Sequence, residues 1–369
     1  MKIADLLRGM LEVGASDLHI TSNSPPVMRI NGELRRVKGD TFSGDDTRSM
    51  VYAVMTDTQK HRFEENKELD FSFGLTGMAR FRANVFVQRG QVAAAFRVIP
   101  FEIKSFEDLS LPKICADMAR RPRGLILVTG PTGSGKSTTL AAMLDLINRE
   151  RKGHIVTIED PIEFVHQHKG CLVNQREVGA DTDSFAGALR SAMRQDPDII
   201  LLGELRDLET IEIALKMAET GHLALATLHT NSCVQTITRI IDVFPMGQQA
   251  QIRLQLSFVL EGVLCQQLLP TADGKGRALA LEVMNPTAAI RNIIREDKLH
   301  QLYGTLQIGQ AETGSLTLNQ SLASLVLTKK VTALTAERYS SDPKELHRLL
   351  EDAGFKDAKK SKSAALRSR

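Results

Sequence analysis

The chain has 369 residues, enough for two or three domains, and its apolar and charged fractions of 42% and 25% are those of an ordinary globular protein. A formal net charge of +3 is too small to indicate a nucleic-acid partner. The four cysteines form no C-x-x-C pair, and no apolar run approaches the ~18 residues of a membrane-spanning helix, which argues against a zinc site, a disulfide framework and direct membrane insertion. Early acidic residues such as Asp5 do not fit a signal peptide, so we expect a cytoplasmic protein that reaches a membrane only through a partner.

The first 99 residues predict a small mixed α+β domain. Helices are predicted over 3–13 and 46–65, and strands over 16–20, 27–34 (with a hairpin turn at Asn31-Gly32), 70–74, 78–89 and 92–99. Arg80 and Arg82 alternate with apolar residues on one strand, and Arg97 lies on the next, so one face of the sheet is basic. By themselves these arginines fit a solvent-exposed face as well as a ligand-binding one.

A linker with proline at both ends, over 100–112, separates this domain from a second one over 113–355. In the second domain strands are predicted over 125–129, 154–158, 199–202 and 223–228, and helices over 137–150, 183–194 and 207–219. This alternation predicts βαβ units around a largely parallel sheet.

A glycine-rich loop that begins at Gly130 joins the first of these strands to the first helix, with the pattern G-x-x-x-x-G-K-[ST]. Its glycines allow backbone N–H groups to face an anion, and the helix N-terminus adds partial positive charge. Lys136 would reach the outer phosphates of a nucleoside triphosphate, and the Ser137 hydroxyl would hold Mg²⁺. The predicted phosphate-binding residues are Gly130, Thr132, Gly133, Ser134, Gly135, Lys136, Ser137 and Thr138.

Carboxylates follow two of the other predicted strands. Glu204 comes after an apolar strand, as in a Walker B element, although Gly203 takes the position where the acid usually stands. Glu159 and Glu163 belong to a turn after the neighbouring strand, which Pro161 keeps from becoming helical. Carboxylates at adjacent strand ends can divide metal binding and water activation, whereas any one of them alone fits ordinary surface decoration.

Two histidines stand at opposite ends of one short buried strand, His222 before it and His229 after it. Their separation excludes a two-histidine metal site on one strand face. His229 fits a sensor of the γ-phosphate, and a satisfied core histidine is the alternative.

From Ala250 onward the pattern is nearly all helical, with helices predicted over 250–268, 286–303, 316–329, 333–339 and 343–353 and one short strand over 278–283. The Lys/Ser/Ala-rich tail over 356–369 predicts disorder, with contact to an anionic surface as an alternative.

Several further sequence motifs occur along the chain. They are A-S-D-L-H from Ala15, T-I-E-D-P-I-E-F-V-H from Thr157, C-L-V-N-Q-R-E-V from Cys171, G-E-L-R-D from Gly203, T-G-H from Thr220, T-L-H-T from Thr227 and A-I-R-N-I-I-R-E from Ala289. Over residues 1–345 the chain resembles the type IV pilus retraction ATPases, a branch of the secretion ATPase family. The A-I-R-N helix, which carries Arg291 and Arg295, is the mark of that branch, and the four-cysteine insertion usual in the assembly and secretion branches is absent from this sequence.

The resemblance implies an α/β protein with a PAS-like N-terminal domain, a RecA-like P-loop domain whose helical subregion starts at about 250, and ATP with Mg²⁺ between the two. It implies Glu204 as the Walker B acid with Mg²⁺ held through water, and Glu163 as the acid that orients water. Glu159 belongs to the same catalytic group, and how these three acids divide their roles stays open. His222 and His229 would belong to the His box. Arg80, Arg82 and Arg97 would contact the nucleotide.

The implied assembly is a homohexamer that retracts pili, and so powers twitching motility, by acting on an inner-membrane platform protein of the pilus machinery. Its location would be the cytoplasmic side of the inner membrane at the pilus base. The segment Gly309–Leu318 and the tail fit the pattern poorly, which leaves open whether the chain is the main motor or an accessory paralogous ATPase. A RecA-like nucleic-acid translocase and a nucleotide-occupied scaffold are further alternatives.

Overall fold

A computed structural model describes residues 2–30, 32–75, 79–99, 102–308 and 313–355. The chain divides into two compact units. The first unit contains Met1–Glu102, Pro161–His166 and Glu177–Asp183, and the second contains Ile103–Asp160, Gln167–Arg176 and Ser184–Arg369. Two short segments that follow strands of the second unit therefore belong to the first.

The first unit is built on an antiparallel sheet of six strands in the order β3-β2-β1-β6-β5-β4. The strands are β1 Asp17–Ile20, β2 Val27–Ile30, β3 Glu33–Arg36, β4 Glu68–Leu75, β5 Ala79–Gln88 and β6 Gln91–Ile99, and the helices are α1 Ile3–Glu12, α2 Gly44–Tyr52 and α3 Asp57–Asn66. Its core holds Phe81 and Phe96, both fully buried, and the buried side of α1. This is the α+β arrangement predicted for the N-terminal part of the chain.

One predicted helix of the first unit is two helices in the structure. The prediction of a single helix over 46–65 is wrong at residues 53–56, where the chain turns. Ser43 and Thr56 each accept a hydrogen bond from the backbone N–H three residues later, which gives both α2 and α3 a capping box. A second cap in the middle of a polar stretch starts a new helix, because the side chain satisfies a donor that would otherwise be orphaned.

The second unit is organised by a seven-stranded sheet in the order β13-β12-β7-β11-β10-β8-β9. The strands are β7 Gly124–Thr129, β8 His154–Glu159, β9 Leu172–Glu177, β10 Ile199–Leu202, β11 Leu223–Leu228, β12 Leu260–Pro270 and β13 Arg277–Met284. Strands β8, β10, β11, β7 and β12 run parallel, so their carboxyl ends meet at one edge of the sheet. The alternation of strands and helices in the sequence predicted this parallel core.

The helices of the second unit cover the sheet and form a C-terminal cluster. They are α4 Lys113–Ala119, α5 Lys136–Glu150, α6 Phe185–Ala192, α7 Leu208–Glu219, α8 Cys233–Asp242, α9 Met246–Val259, α10 Ala288–Arg295, α11 Leu302–Ile308, α12 Leu318–Leu327, α13 Ala333–Tyr339 and α14 Pro343–Asp352, with a 3₁₀ turn at Leu299–Gln301. The last three pack on Leu269 and Ala280 of β12 and β13. The strand predicted over 278–283 is confirmed as β13.

The helix predicted over 250–268 is wrong beyond Val259, where the chain becomes β12. Leu260 to Cys265 pair with β7, and Val263 to Pro270 pair with β13. The pairing with β7 shifts its register between Leu260 and Gly262, and a Cβ at Gly262 would lie 2.5 Å from the Met118 Sδ. An apolar run of this kind satisfies a helix pattern and a buried-strand pattern equally well, and only the free edge of β7 decides between them.

Some predictions fall outside the described residues. These are the turn residue Asn31, the strand start at Met78, the linker start at Pro100, the segment 309–312 and the tail over 356–369. Strand β9 was not predicted. Within the described part of the chain no helix combines the length and the apolar character needed to cross a bilayer.

Candidate functional site

The glycine-rich loop lies between the end of β7 at Thr129 and the start of α5 at Lys136. Gly130, Gly133 and Gly135 all have positive φ, with values of 135°, 78° and 90°. At Gly130 a Cβ would lie 2.3 Å from the Gln266 backbone oxygen, so no larger residue fits without moving β12. The strand, loop and helix have the arrangement that the phosphate-loop motif requires.

The Lys136 ammonium folds back over the loop. Its Nζ donates hydrogen bonds to the backbone oxygens of Gly130 (2.9 Å) and Pro131 (3.1 Å). Burial lowers the pKa of Lys136, while the nearby Glu204 carboxylate opposes that change. A triphosphate would offer this ammonium stronger, anionic acceptors than two neutral carbonyls.

The hydroxyl groups of the loop differ in what they offer. The Ser134 Oγ is buried and has no hydrogen-bond partner within the described residues, whereas the Ser137 side chain is exposed at the start of α5. Thr132 is exposed and Thr138 is half-buried. A buried hydroxyl without a partner is uncommon, and an anion seated in the loop would satisfy it.

Gln266 on β12 supports this loop, a role that the sequence analysis missed. Its backbone oxygen lies against Gly130, and its buried side chain donates from Nε2 to the Thr139 Oγ1 at 2.8 Å in the first turn of α5. The loop is therefore held from β12 at both of its ends.

Glu204 follows β10 at the same edge of the sheet. Its Oε2 accepts a hydrogen bond from Arg206 Nε (2.9 Å), and its Oε1 lies 3.3 Å from His229 Nε2. The same carboxylate raises the pKa of Arg206. Arg206, which also lies 3.9 Å from Asp160, is a further residue that the sequence analysis did not select, although it stands only two positions beyond Glu204.

The position of Gly203, where an acid was expected, has a structural reason. Its N–H donates to the Ile158 oxygen on β8 at 2.9 Å, and a Cβ would lie 3.2 Å from that oxygen. Thr227 on β11 donates to the Gly203 oxygen at 2.5 Å, and Leu205 N–H donates back to Thr227 O at 3.0 Å. A side chain at this position would crowd the end of β8, so glycine fits best here and the carboxylate follows one residue later, at Glu204.

The histidine pair is divided between two edges of the sheet. Strands β10, β11 and β7 are neighbours, so Glu204, His229 and the phosphate loop follow three adjacent strand ends. His222 stands at the other end of β11, where its backbone oxygen accepts from Gly124 N–H at the start of β7. The strand between them has six residues and is roughly 20 Å long, so the structure does not support a role for His222 at the phosphate loop of its own chain.

Hydrogen bonds hold the loop that follows β11 and the start of α8 in place. Thr230 and Thr236 share a hydrogen bond of 2.6 Å between their hydroxyl groups, and Thr236 reaches Thr129 at the end of β7 at 3.5 Å. The Glu282 carboxylate accepts from Cys233 N–H at 2.7 Å, at the start of α8. Burial raises the pKa of Glu282, although hydrogen bonds from the backbone and the side chain of Cys233 oppose the change.

The remaining predicted acids lie in different units. Glu159, at the end of β8 in the second unit, is buried and accepts from Thr157 Oγ1 (2.7 Å) and Gln175 Nε2 (3.1 Å). Glu163 is exposed and belongs to the first unit, as part of the segment Pro161–His166. A sequence separation of four residues therefore crosses a unit boundary.

The three predicted arginines lie on the sheet of the first unit. Arg82 and Arg97 are direct cross-strand neighbours, and Arg82 lies 3.8 Å from Asp70. Arg97 donates to Asp17 at 2.7 Å. Burial alone would raise the pKa of Asp17, but hydrogen bonds from Ser16 and Arg97 outweigh it and lower that pKa. Arg80 contacts a different carboxylate, that of Glu177.

The donor set fits Mg²⁺ better than a transition metal. In the described ranges no cluster of three or more His, Cys, Asp or Glu side chains could hold a metal ion by itself. Mg²⁺ keeps several waters and binds through one or two protein ligands together with substrate phosphates. Ser137 at the start of α5 and the outward-facing Glu204 match that requirement.

Comparison with known proteins gives a consistent result. The family described as "Type II/IV secretion system protein" matches residues 2–362. The Pseudomonas aeruginosa "Type IV pilus retractation ATPase PilT" is 51% identical over 326 residues, which cover 88% of this chain and 94% of that relative. "Type IV pilus ATPase PilU" of the same organism is 42% identical over 358 residues, 97% of this chain and 94% of that relative.

A solved structure matches as well. The "Crystal Structure of the Pilus Retraction Motor PilT and Bound ADP" superposes with a TM-score of 0.89 and is 51% identical, covering 94% of this chain and 99% of that one. This match confirms the predicted α/β fold class, with an N-terminal domain followed by a RecA-like domain.

Proposed function

The chain belongs to the type II/IV secretion system protein family, and on this basis we propose that it is a homohexameric ATPase motor that powers retraction of type IV pili. The observation that carries the proposal is the order of strand ends at one sheet edge. There the phosphate loop, His229 and Glu204 follow β7, β11 and β10, which are direct neighbours. The similarity of this chain to a pilus retraction ATPase extends over most of its length.

The second unit supplies nucleotide binding in this proposal. The N–H groups of the loop and the start of α5 bind the phosphates, and Lys136 neutralises charge on the outer ones. Ser137 and Glu204, the latter through water, would hold Mg²⁺, which neutralises charge that develops on the phosphates during cleavage. His229, whose Nε2 lies 3.3 Å from Glu204 Oε1, would respond to the γ-phosphate.

The first unit supplies groups for hydrolysis. Glu163 orients the attacking water, and Arg80, Arg82 and Arg97 carry positive charge for the nucleotide. Because these residues belong to one compact unit and Lys136 to the other, hydrolysis can be coupled to movement of one unit against the other. In a ring of six chains, that movement would act on an inner-membrane platform protein at the cytoplasmic base of the pilus.

Replacement of the loop lysine tests the ATPase proposal. Lys136→Ala should reduce ATP turnover by about a hundredfold or more, because a charge opposite the transferred phosphoryl group is lost. Lys152→Ala, an exposed lysine beyond the other end of α5, is the matched control and should keep normal turnover. Unchanged phosphate release from the Lys136 variant would refute the site.

A second candidate function is that of an accessory retraction ATPase, because similarity to PilU extends over nearly the entire chain. Complementation distinguishes the two. The main motor should restore pilus retraction in a strain that lacks its own main retraction ATPase, whereas an accessory protein should restore it only in a strain that lacks the accessory one. DNA-stimulated turnover would instead favour a nucleic-acid translocase.

A further inference from the structure

A buried carboxylate outside the phosphate site joins three segments of the first unit. Glu177, whose side chain is 5% exposed, accepts hydrogen bonds from Ser72 Oγ at 2.6 Å and from Ile162 N–H at 3.2 Å, and it lies 3.5 Å from Arg80 Nη2. Its own N–H donates to Asp181 Oδ2 at 2.8 Å. All of these residues belong to the first unit.

The partners of Glu177 identify what it holds. Ser72 and Arg80 lie on β4 and β5, and Arg80 also donates to Ser72 Oγ at 2.7 Å. Ile162 is buried and directly precedes Glu163, which is exposed. One carboxylate therefore fixes the guanidinium of Arg80 and the peptide group next to Glu163.

Burial of the Glu177 carboxylate requires several matched partners, which argues against an incidental contact. An ionised carboxylate with so little solvent is stable only when charge and hydrogen bonds replace its water. Arg80 supplies the charge, while Ser72 and Ile162 supply hydrogen bonds. The Arg80 Nε is buried and has no hydrogen-bond partner in the described part of the chain, and the contacts of its guanidinium with Ser72 and Glu177 are made through Nη2.

We propose that Glu177 is a positioning residue for ATP hydrolysis, which sets the Glu163 turn and the Arg80 guanidinium in one fixed relation. The inference rests on the proposed function of Glu163 and Arg80. It adds that Glu163 and Arg80 keep a fixed position relative to each other, because the Glu177 carboxylate contacts both Arg80 and the peptide group next to Glu163. Nucleotide binding by the loop around Lys136 does not involve Glu177, so the two steps should separate.

If Glu177 serves hydrolysis and not nucleotide binding, its replacement should affect kcat far more than the affinity for ATP. Glu177→Ala should lower kcat about 30-fold, because a displacement of about 1 Å in a positioned group can cost up to a hundredfold. The dissociation constant for a non-hydrolysable ATP analogue should change much less than kcat, by less than about fivefold, since the loop around Lys136 is intact and only the Arg80 charge is displaced. Glu177→Gln keeps an acceptor oxygen for Ile162 N–H and loses the charge opposite Arg80, so its kcat should fall between wild type and Glu177→Ala.

A matched control separates positioning from general stability. Glu345 in the C-terminal cluster also takes hydrogen bonds from three side chains, those of Tyr303, Gln307 and Asn319. Glu345→Ala should lower the melting temperature to an extent comparable with Glu177→Ala. Measured below both melting temperatures, its kcat should stay within about twofold of wild type, because it contacts no group of the proposed site.

A mutant cycle in the 369-residue chain completes the test. If Glu177 acts through Glu163 and Arg80, adding Glu177→Ala to a variant that already carries Glu163→Gln and Arg80→Ala should slow turnover by no more than about twofold. The proposal is overturned if Glu177→Ala keeps wild-type kcat, or if the two losses multiply. The two failures are distinguishable. Turnover that persists in Lys136→Ala contradicts the proposed ATPase site, whereas turnover that is lost in Lys136→Ala and unchanged in Glu177→Ala contradicts only the positioning role of Glu177.

Discussion

Two regions of the molecule are built in opposite ways. One is the sheet edge of the second unit that carries the phosphate loop, His229 and Glu204, called here the phosphate edge. The other is the Glu177 cluster of the first unit, which consists of Glu177, Ser72, Arg80 and Ile162. At the phosphate edge each group belongs to a short contiguous motif that follows a strand, and parallel strands bring the motifs together. In the cluster the partners of Glu177 lie 15, 97 and 105 residues away along the chain. Parallel topology makes the first region readable from sequence, whereas the second depends on side-chain contacts that no local pattern encodes.

Exposure separates the regions as well. The side chains of Glu204 and His229 are 28% and 42% exposed, while that of Glu177 is 5% exposed. Partly exposed polar groups can exchange their present partners for a substrate, and a buried carboxylate with several partners keeps its geometry. We therefore expect variants at the phosphate edge to change binding or chemistry directly, and variants in the cluster to act through position.

The largest expected effect is that of Gly130→Ala. The new methyl group would lie 2.3 Å from the Gln266 oxygen, at a φ of 135° that favours glycine. Nucleotide binding should be lost in an equilibrium titration, and the melting temperature should fall, because either the loop or β12 must move. Gly304→Ala, where a Cβ meets nothing within 4 Å in α11, should leave binding unchanged.

The next effect is that of Glu204→Gln, which tests the chemistry of the same edge. Loss of the charge should reduce kcat about a hundredfold, because water-mediated support of Mg²⁺ and the pairing with Arg206 and His229 weaken together. The affinity for ATP should change little, since Lys136 and the loop remain. Turnover near that of wild type would show that Glu204 is not the metal-side acid.

Smaller losses of kcat are expected from replacing the two histidines. His229→Ala should lower kcat about tenfold, because the ring lies beside Glu204. His222→Ala should have a lesser effect on turnover, since the residue stands at the opposite end of β11 and its ring contacts Met217 O and Thr220. Equal losses of kcat in the two variants would contradict the placement described above.

Sequence reasoning identified the groups whose position follows from topology alone. The phosphate loop, Glu204 and His229 each come directly after a strand of the parallel sheet, so their meeting at one edge was predictable. His222 was grouped with His229 by motif, although one strand length separates them. Gln266 and Glu177 were missed because their roles depend on hydrogen bonds to residues that are distant in sequence. Arg206 is close to Glu204 in sequence, but no sequence pattern shows that its side chain turns back onto that carboxylate.

The two errors in the predicted fold have different origins. Leu260 begins a strand because β7 offers an edge to pair with, a fact that hydrophobic periodicity over 250–268 does not contain. Local capping at Thr56 did carry the information that splits the helix predicted over 46–65, in the form of a Thr-x-x-Gln capping box. Short-range signals were therefore available for helix boundaries and unavailable for strand pairing.

The central claim is that the loop of the second unit binds ATP and that Glu163 of the first unit is required to cleave it. The most direct measurement is a single-turnover experiment in which Glu163→Gln is mixed with a substoichiometric amount of ATP and both bound ATP and released phosphate are followed. The account predicts that ATP binds as in wild type and stays intact, with cleavage slower by about a hundredfold or more. Cleavage at the wild-type rate in this variant would contradict it.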